Sequence, residues 1–247
     1  MVTALKKFWH LTTTFRTNWV FLKPFRHSGS AECAGFWPAS SVRFAKSANL
    51  PKRLKNRDEL VEWLGSVDGV RAVVGFDSEG RTFGEAGSSK EISDEDDREI
   101  LLAARSLSDV AFTGGATARA EKYQPSERIA LAILTRARDS VSDVPAVLRP
   151  GSKGTYIIES GADLQAALRK AIADLRELGL SRVQFEGGLM LLSEAVAAGV
   201  IDEVLVSSVS GLDSIPFASA LIADGWRVTD TANFGRRWLF QLRRKVN

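Results

Sequence analysis

Two pairs of glycines follow short apolar runs of the chain, and each pair stands where a strand would give way to a helix. One pair (187–188) comes after the run 183–185 and a single glutamate, and the other (114–115) directly follows 110–113. Glycine lets a ligand approach the backbone closely, and a helix N-terminus offers unpaired N–H groups with a partial positive charge. Each pair therefore predicts a pocket for a phosphate, with a diphosphate cofactor as the first candidate. Close packing of a helix on a strand also selects glycine and remains an alternative.

Polar side chains beside these glycines could contact such a ligand. Glu186 directly precedes the second pair, and Thr117 and Arg119 follow the first. Thr117 could bond a phosphate or cap a short helix, while Arg119 could neutralise a 2′-phosphate, bind the substrate or simply face the solvent. Glu186 could serve the site or only pair with a neighbouring cation. The pattern is not the dinucleotide-binding Gly-x-Gly-x-x-Gly motif, because its spacing differs.

The distribution of histidine and cysteine excludes several kinds of chemistry. His10, His27 and Cys33 all lie within the first 57 residues, so residues 58–247 contain neither residue type. Catalysis by a Ser-His-Asp or Cys-His arrangement is therefore excluded there, as is a zinc site of the usual ligands, and we expect no metal. An enzyme built from this part of the chain must use carboxylates, hydroxyls, Lys, Arg or a cofactor.

The charge of the chain divides it into two parts. Residues 1–57 hold eleven Lys or Arg and one acid, whereas 58–247 hold 22 basic and 29 acidic residues. The basic character thus belongs to the N-terminal segment, and it does not predict nucleic-acid binding by the rest. We expect residues 1–55 to be a basic segment, rich in Arg and Ser, and 56–247 to be a globular domain. The segment could be a transit-like targeting sequence, a disordered arm or a stretch translated upstream of the true start.

Composition places the chain among ordinary globular proteins. It has 247 residues, of which 45% are hydrophobic and 26% charged, enough for one sizeable α/β domain. No apolar run approaches the ~18 residues that a membrane span requires, so we expect no membrane partner. Its one cysteine, Cys33, cannot form an internal disulfide, which favours a reducing, cytoplasmic location.

Hydrophobic periodicity predicts strands that alternate with helices. Such alternation favours an α/β fold with a mostly parallel central sheet, and the last two strands, adjacent in sequence, suggest an antiparallel edge. We expect helices at 56–66, from Ser93 (with Asp96 in a capping box) to Leu107, at 163–178 and directly after Gly188. Strands are expected at 70–76, 110–113, 129–135, 155–159, 182–185, 203–209, 226–230 and 237–242.

Four segments together resemble one known family. They are similar, in the same order, to segments of the pyrimidine reductase of riboflavin biosynthesis, which is also the C-terminal domain of the bifunctional deaminase–reductase. The most specific is FEGGLMLLSEAVAAGVIDEV, and the likeness covers roughly 70–247. The segments are DDREILLAARSLSDV (96–110), TGGATARAEKYQPS (113–126), LAILTRA (131–137) and FEGGLMLLSEAVAAGVIDEV (185–204).

This resemblance implies a fold, a reaction and an assembly. The family has a dihydrofolate-reductase-like fold, which corresponds to a three-layer α/β/α arrangement of the elements predicted above. Its activity would be that of a 5-amino-6-(5-phosphoribosylamino)uracil reductase, with NADPH as the donor of a hydride to the ribose C1′. The resemblance also implies a homodimer that acts on a small phosphorylated pyrimidine.

Matching by position assigns expected roles to particular residues. Arg105 is suited to the substrate phosphate because a guanidinium binds oxyanions bidentately, although a helix-end ion pair with Asp109 is an alternative. Glu186 and Glu79 are the expected catalytic carboxylates. Substrate contacts are expected from Ser89, Arg105 and Glu186, and cofactor contacts from Gly114, Thr117, Glu121, Thr135, Gly187, Gly188 and Leu189.

The chain also departs from the family pattern. The family's first strand ends in Ser-Leu-Asp-Gly, whereas the corresponding segment here is GFDSEGRTFG (75–84), with Glu79 in the nearest register and Asp77 two residues earlier. Two further hypotheses therefore stay open. The chain could reduce dihydrofolate or another small acceptor with the same cofactor, or it could be a non-catalytic paralogue that only binds a nucleotide.

Overall fold

A computed structural model describes residues 51–82 and 89–244, which belong to the unit Ala48–Asn247. Its described part contains seven α-helices and a sheet of nine strands. The strands are β1 (Lys52–Leu54), β2 (Val70–Phe76), β3 (Val110–Gly114), β4 (Ala130–Thr135), β5 (Thr155–Glu159), β6 (Val183–Phe185), β7 (Glu203–Ser208), β8 (Trp226–Phe234) and β9 (Arg237–Arg244). The helices are α1 (Arg57–Leu64), α2 (Glu95–Ser106), α3 (Gly115–Ala120), α4 (Pro145–Leu148), α5 (Leu164–Glu177), α6 (Leu189–Ala197) and α7 (Pro216–Ala223).

The sheet confirms the predicted fold class. Its strand order is β1-β8-β9-β7-β2-β6-β3-β4-β5, and all neighbours from β7 to β5 run parallel. β9 pairs antiparallel with both β7 and β8, as predicted for the last two strands. This antiparallel part is not the outermost edge, however, because β1 adds in parallel to the far side of β8.

β1 also bears on the expected boundary between residues 55 and 56. Lys52–Leu54 lies on the N-terminal side of that boundary, yet it pairs with Ala232–Phe234 of β8. Leu54 is buried in the core, which explains why these residues join the sheet. The expectations for residues 1–50 lie outside the described residues.

Helices cover both faces of the sheet. On strands, successive side chains point to opposite faces, and here Val204 and Val206 enter one cluster while Leu205 enters another. The first cluster is filled by α5, α6 and α7, and the opposite face is covered by α1 and α2 and, farther along the sheet, by α3 and α4. The protein is therefore the three-layer α/β/α structure that the resemblance implied. In the described part of the chain, no helix has the length and hydropathy needed to cross a membrane.

Most element boundaries agree with the periodicity, and one cap does not. α2 begins after Asp94, whose side chain accepts from the backbone N–H of Asp97, so the predicted capping box at Ser93 is wrong. Ser93 instead donates its hydroxyl to Asp97 Oδ2 at 2.9 Å. A carboxylate caps a helix as well as a hydroxyl does, and Asp94 stands one residue closer to the first turn.

A buried ion cluster joins α1 to the centre of the sheet. Glu203 is fully buried and accepts from Arg71 Nε at 2.5 Å and from Arg243 Nε at 2.8 Å. Arg71, only 3% exposed, also donates to the carbonyls of Leu64 and Gly65 at the end of α1. Charges taken out of water are tolerated only when they are paired and hydrogen-bonded, and this cluster meets both conditions.

We expect Glu203→Gln to lower the free energy of unfolding by about 3 kcal/mol, because it leaves the buried Arg71 without its counter-charge. Asp224→Asn is the matched control. It breaks the ion pair with Arg244, which is about half exposed on both sides, and should cost less than about 1 kcal/mol. Urea denaturation of both variants measures the difference. Equal losses would contradict a structural role for the buried cluster.

Candidate active site

A cavity of about 370 Å³ lies where β2, β3 and β6 end. These strands are parallel neighbours, so their carboxyl ends meet at one edge of the sheet. The walls come from the end of β2, the first turns of α2, α3 and the connection between β6 and α6. Ligands of open α/β sheets bind at such an edge. The cavity is therefore the candidate active site.

The start of α6 and the first turn of α3 lie beside each other at this cavity, although the glycines 114 and 115 are not part of its lining. α6 begins after Gly188, which has φ −60° and ψ 163° and provides no side-chain cap. Among the described residues, a Cβ added to Gly188 would have only one neighbour within 4 Å, Thr117 Oγ1 at 3.8 Å, so the space in front of it is open. The first N–H groups of a helix have no partner inside the helix. Those of α6 thus lie at the cavity without a side-chain cap, beside a hydroxyl of α3.

The other glycines of the two pairs serve packing. A Cβ on Gly187 would come within 2.7 Å of the Phe185 ring, and one on Gly115 within 3.0 Å of Thr135 Oγ1. The alternative that close helix–strand packing selects glycine therefore holds for these two positions. Gly188 is the position that leaves room for a ligand.

The structure brings five of the seven predicted cofactor residues to the cavity wall. Gly114 and Thr135 are not part of the lining, and the Thr135 hydroxyl is engaged with Ala137 O at 3.1 Å and Ser140 Oγ at 2.8 Å. The five that line it are Thr117, Glu121, Gly187, Gly188 and Leu189.

Glu186 is the centre of a buried hydrogen-bond network. Arg105 donates to it twice, from Nε at 2.7 Å and from Nη2 at 2.6 Å. The Tyr123 hydroxyl donates at 2.7 Å, and so does the Gln184 amide, also at 2.7 Å. Glu186 itself is 8% exposed and lines the cavity. The network thereby connects α2, the end of α3 and β6 around one carboxylate.

An unusual backbone conformation places Tyr123 in this network. Lys122 has φ +48°, which is rare for a residue other than glycine. It ends α3 in a left-handed turn in which Tyr123 N–H donates to Ala118 O at 3.0 Å. Directly after this turn, the Tyr123 hydroxyl reaches Glu186. Backbone strain of this kind concentrates at functional sites.

The electrostatics of the network stabilise a neutral phenol and a charged guanidinium. Burial is the main reason why the pKa of Tyr123 is raised well above its ordinary value, and the charge of Glu186 adds to it. Burial alone would lower the pKa of Arg105, but the charge and hydrogen bonds of Glu186 outweigh it and raise that pKa. At neutral pH both side chains therefore remain donors to Glu186.

Ser89 and Glu121 are in contact at the cavity, although Ser89 is expected to contact the substrate and Glu121 the cofactor. The backbone N–H of Ser89 donates to Glu121 Oε1 at 2.6 Å, and its hydroxyl donates to the same oxygen at 3.0 Å. Both residues line the cavity. This contact connects the segment before α2 to the end of α3.

Two of the residues expected to act in catalysis or to bind the substrate also lie outside the cavity lining. Glu79 is in an exposed turn and pairs with Arg81 at 3.2 Å, so the structure does not bring it to Glu186. Arg105 lies behind Glu186 instead of in the lining, with its Nε and Nη2 donating to that carboxylate. The alternative of an ion pair between Arg105 and Asp109 is wrong, because Asp109 binds Arg182.

Two residues of the site are not identified by the sequence patterns. Tyr123 lies within TGGATARAEKYQPS, but the resemblance implies no role for it, and its contact to Glu186 depends on the left-handed turn at Lys122. Asp97 lines the cavity from the first turn of α2, where acidic residues are read as helix-capping residues. Among the described lining residues the charged ones are Asp97, Glu121 and Glu186, and none is Lys or Arg.

The part of the sequence that forms this site matches a known protein family. Residues 78–212, more than half of the chain, match the family described as the RibD C-terminal domain. The chain belongs to this family. RibD C-terminal domains are reductase domains of the riboflavin pathway, which confirms the resemblance and makes the protein pyrimidine-reductase-like. Among curated proteins, none matches the sequence.

Solved structures share the fold at low sequence identity. A pyrimidine reductase-like protein from Corynebacterium diphtheriae is 18% identical, with a TM-score of 0.53 over 73% of this chain and 92% of its own. The deaminase/reductase of Thermotoga maritima is 16% identical, with a TM-score of 0.57 over 72% of this chain and 56% of its own. RibD of Acinetobacter baumannii is 19% identical, with a TM-score of 0.55 over 72% and 58%. The chain thus spans little more than half the length of the latter two proteins.

The raised pKa of Tyr123 predicts a loss of stability in alkali. The folded state keeps a proton that the unfolded state releases above pH ~10, so the free energy of unfolding falls as the pH rises beyond that value and not below it. The chain has two tyrosines, so in a Tyr156→Phe background the phenolate absorbance reports Tyr123 alone. We expect that absorbance to appear only as near-ultraviolet circular dichroism is lost. Phenolate formation near pH 10 with the native spectrum intact would contradict the buried network.

Proposed function

We propose that the protein is an NADPH-dependent reductase whose substrate is a phosphorylated ribosylaminopyrimidine, with hydride transfer to the ribose C1′. Membership of the RibD C-terminal domain family supports the reaction class. The observation that carries the proposal is the uncapped N-terminus of α6 at Gly188, open to the cavity and adjacent to Thr117. A helix N-terminus of this kind binds an anion such as a diphosphate.

The described residues fit one part of the coenzyme better than another. Gly188, Leu189 and Thr117 would hold the diphosphate, because they supply backbone N–H groups and a hydroxyl without a negative charge between them. The described lining has no cation for a 2′-phosphate. That group would have to lie outside the cavity, where Arg119 of α3 is a candidate: its Nη1 donates to the Ser140 carbonyl at 2.9 Å at an exposed position.

Hydride transfer depends mainly on how the protein positions the coenzyme and the substrate. The coenzyme supplies the hydride when bound, so the side chains need to hold donor and acceptor carbons in contact and to exclude water. Apolar groups of Val73, Val74, Ile92 and Leu101 line the same cavity and provide a dry surface for a flat ring. Glu186, fixed by four hydrogen bonds, provides a rigid wall with a defined charge.

The proposed site differs in two residues from the set expected on sequence. We leave Glu79 out, since it lies in an exposed turn, and we assign Arg105 to orient Glu186 instead of binding a phosphate. Ser89 and Glu121 are retained because their mutual contact lies at the cavity.

Calorimetric titration with NADPH and NADH, followed by an activity assay, tests the proposal. We expect NADPH to bind, and its nicotinamide absorbance to decrease with the ribosylaminopyrimidine phosphate as substrate. A decrease with dihydrofolate instead would identify the other acceptor class. Binding without turnover of either substrate would support a non-catalytic nucleotide-binding protein, and binding of neither coenzyme would refute the oxidoreductase assignment for this chain.

We expect Gly188→Asp to raise the Kd for NADPH at least ~tenfold, because a carboxylate would stand where the diphosphate binds. The backbone at this position, with φ −60°, accepts any residue, so the fold should be retained. Gly211→Asp is a matched control: Gly211 has φ −66° and ψ 162°, and a Cβ there would also meet open space. It does not line the cavity, so its Kd should equal that of the unmodified protein. The same loss in both variants would contradict a diphosphate site at α6.

A further inference from the structure

The hydrogen bonds already made by Glu186 leave it no capacity for a substrate. A carboxylate has about four lone-pair sites, two on each oxygen. Oε1 accepts from Arg105 Nε and from Gln184, and Oε2 accepts from Arg105 Nη2 and from Tyr123. All four sites are therefore used by the protein itself. A ligand could bond to Glu186 only by displacing one of these donors.

Asp97 is a second carboxylate in the same cavity, and the described residues use only half of its hydrogen-bonding capacity. Its Oδ1 accepts from the Ser207 hydroxyl and its Oδ2 from the Ser93 hydroxyl, both at 2.9 Å. Arg237 Nη1 is 3.7 Å from Oδ1, too far for a hydrogen bond. One lone-pair site thus remains on each oxygen. Two parallel acceptors of this kind match a ligand with two coplanar N–H groups.

The surroundings hold Asp97 in place and make room for it. A Cβ on Gly75 of β2 would come within 2.6 Å of Asp97 Oδ1, so this central strand carries glycine where the carboxylate lies. Arg237, 1% exposed, fixes the same wall: it donates to the Phe76 and Ile92 carbonyls and to Asp94. The position of Asp97 is therefore set by the protein before any ligand binds.

A hydroxyl in the same wall is also without a partner. Thr82 lines the cavity, and its buried Oγ1 has no hydrogen-bond partner in the described structure. Buried polar groups in proteins are nearly always hydrogen-bonded, so this hydroxyl is an exception within the wall that carries Asp97. The acceptors that remain for a molecule in the cavity are those of Asp97.

We propose that Asp97 is the residue that recognises the substrate ring, by accepting two adjacent N–H groups of a flat aminopyrimidine. The edge of such a ring formed by a ring N–H and its neighbouring exocyclic amine presents these donors in one plane. The inference rests on the proposed function and extends it, because it names the part of the substrate that the cavity recognises. It assigns to Asp97 the substrate contact that the sequence had assigned to Glu186.

The two probes 6-aminouracil and 6-amino-1-methyluracil test the proposal. They differ at one ring nitrogen, whose N–H is replaced by N–CH₃, so the second probe has lost one donor of the pair. We expect the first probe to bind at least ~tenfold more tightly to the unmodified protein, as measured by calorimetry or ligand-observed NMR, because a site built for a donor rejects the analogue that lacks it. Equal affinities, or binding of neither probe, would overturn the proposal.

Asp97→Asn should remove the preference between the two probes, because one acceptor oxygen is replaced by an amide NH₂ group, a donor that faces the ligand's own N–H. Glu95→Gln is the matched control: it removes the same charge from the same turn of α2, but Glu95 is exposed and outside the cavity lining. It should leave the preference unchanged. Unaltered probe binding in Asp97→Asn would overturn the assignment.

NADPH affinity, measured in parallel, separates this proposal from the function on which it rests. If Asp97→Asn retains the Kd for NADPH and loses only the probe preference, ring recognition by Asp97 is supported. A protein that shows the probe preference but binds no NADPH would leave the role of Asp97 standing and refute the coenzyme. Should Asp97→Asn not fold, the two probes with the unmodified protein still decide the question.

Discussion

The pairing of one buried carboxylate determines the shape of the site. Glu186 is buried at the end of β6, and a charge removed from water there is stable only if donors surround it. Arg105 from α2 and Tyr123 from the end of α3 supply those donors. Because these partners come from separate elements, satisfying the charge also fixes the distance between α2 and α3. The cavity lies between those helices, so its walls depend on this one interaction.

Local patterns in the sequence predict the central strands and most of the helices that pack on them. Alternation and helical spacing place β2 and β5 at their observed bounds, and the glycines after β3 and β6 mark both helix starts. The parallel pairing of β3 with β6 then follows from the α/β class, and it places Gly188 so that a Cβ added there would lie 3.8 Å from Thr117 Oγ1. Much of the cavity wall around Gly188 could thus be predicted, because it depends on backbone at the ends of two neighbouring strands.

The contacts of Glu186 and Asp97 could not be predicted from local patterns. They join residues that are far apart in sequence, and they depend on the direction of each side chain. Arg105 precedes Asp109 by one helical turn, yet it binds Glu186, 81 residues away. Tyr123 reaches that carboxylate only through a left-handed residue, Lys122, that no local pattern marks. Asp97 resembles an ordinary acidic residue of a first helical turn until the hydroxyl of Ser207, 110 residues away, is placed beside it.

The charges of the cavity divide it between two kinds of ligand group. Its described charged side chains are all acidic, and the compensating arginines, Arg105 and Arg237, lie behind the wall and donate to carboxylates and carbonyls. An anion entering from solvent therefore finds a favourable place only at the uncapped start of α6, where backbone N–H groups are exposed and no carboxylate intervenes. Beside Asp97 the environment is one of acceptor oxygens, which suits a neutral ring rich in N–H groups. The diphosphate of a coenzyme and an aminopyrimidine ring would consequently bind at different ends of one cavity, so that the reacting carbons of the two ligands could meet between those ends.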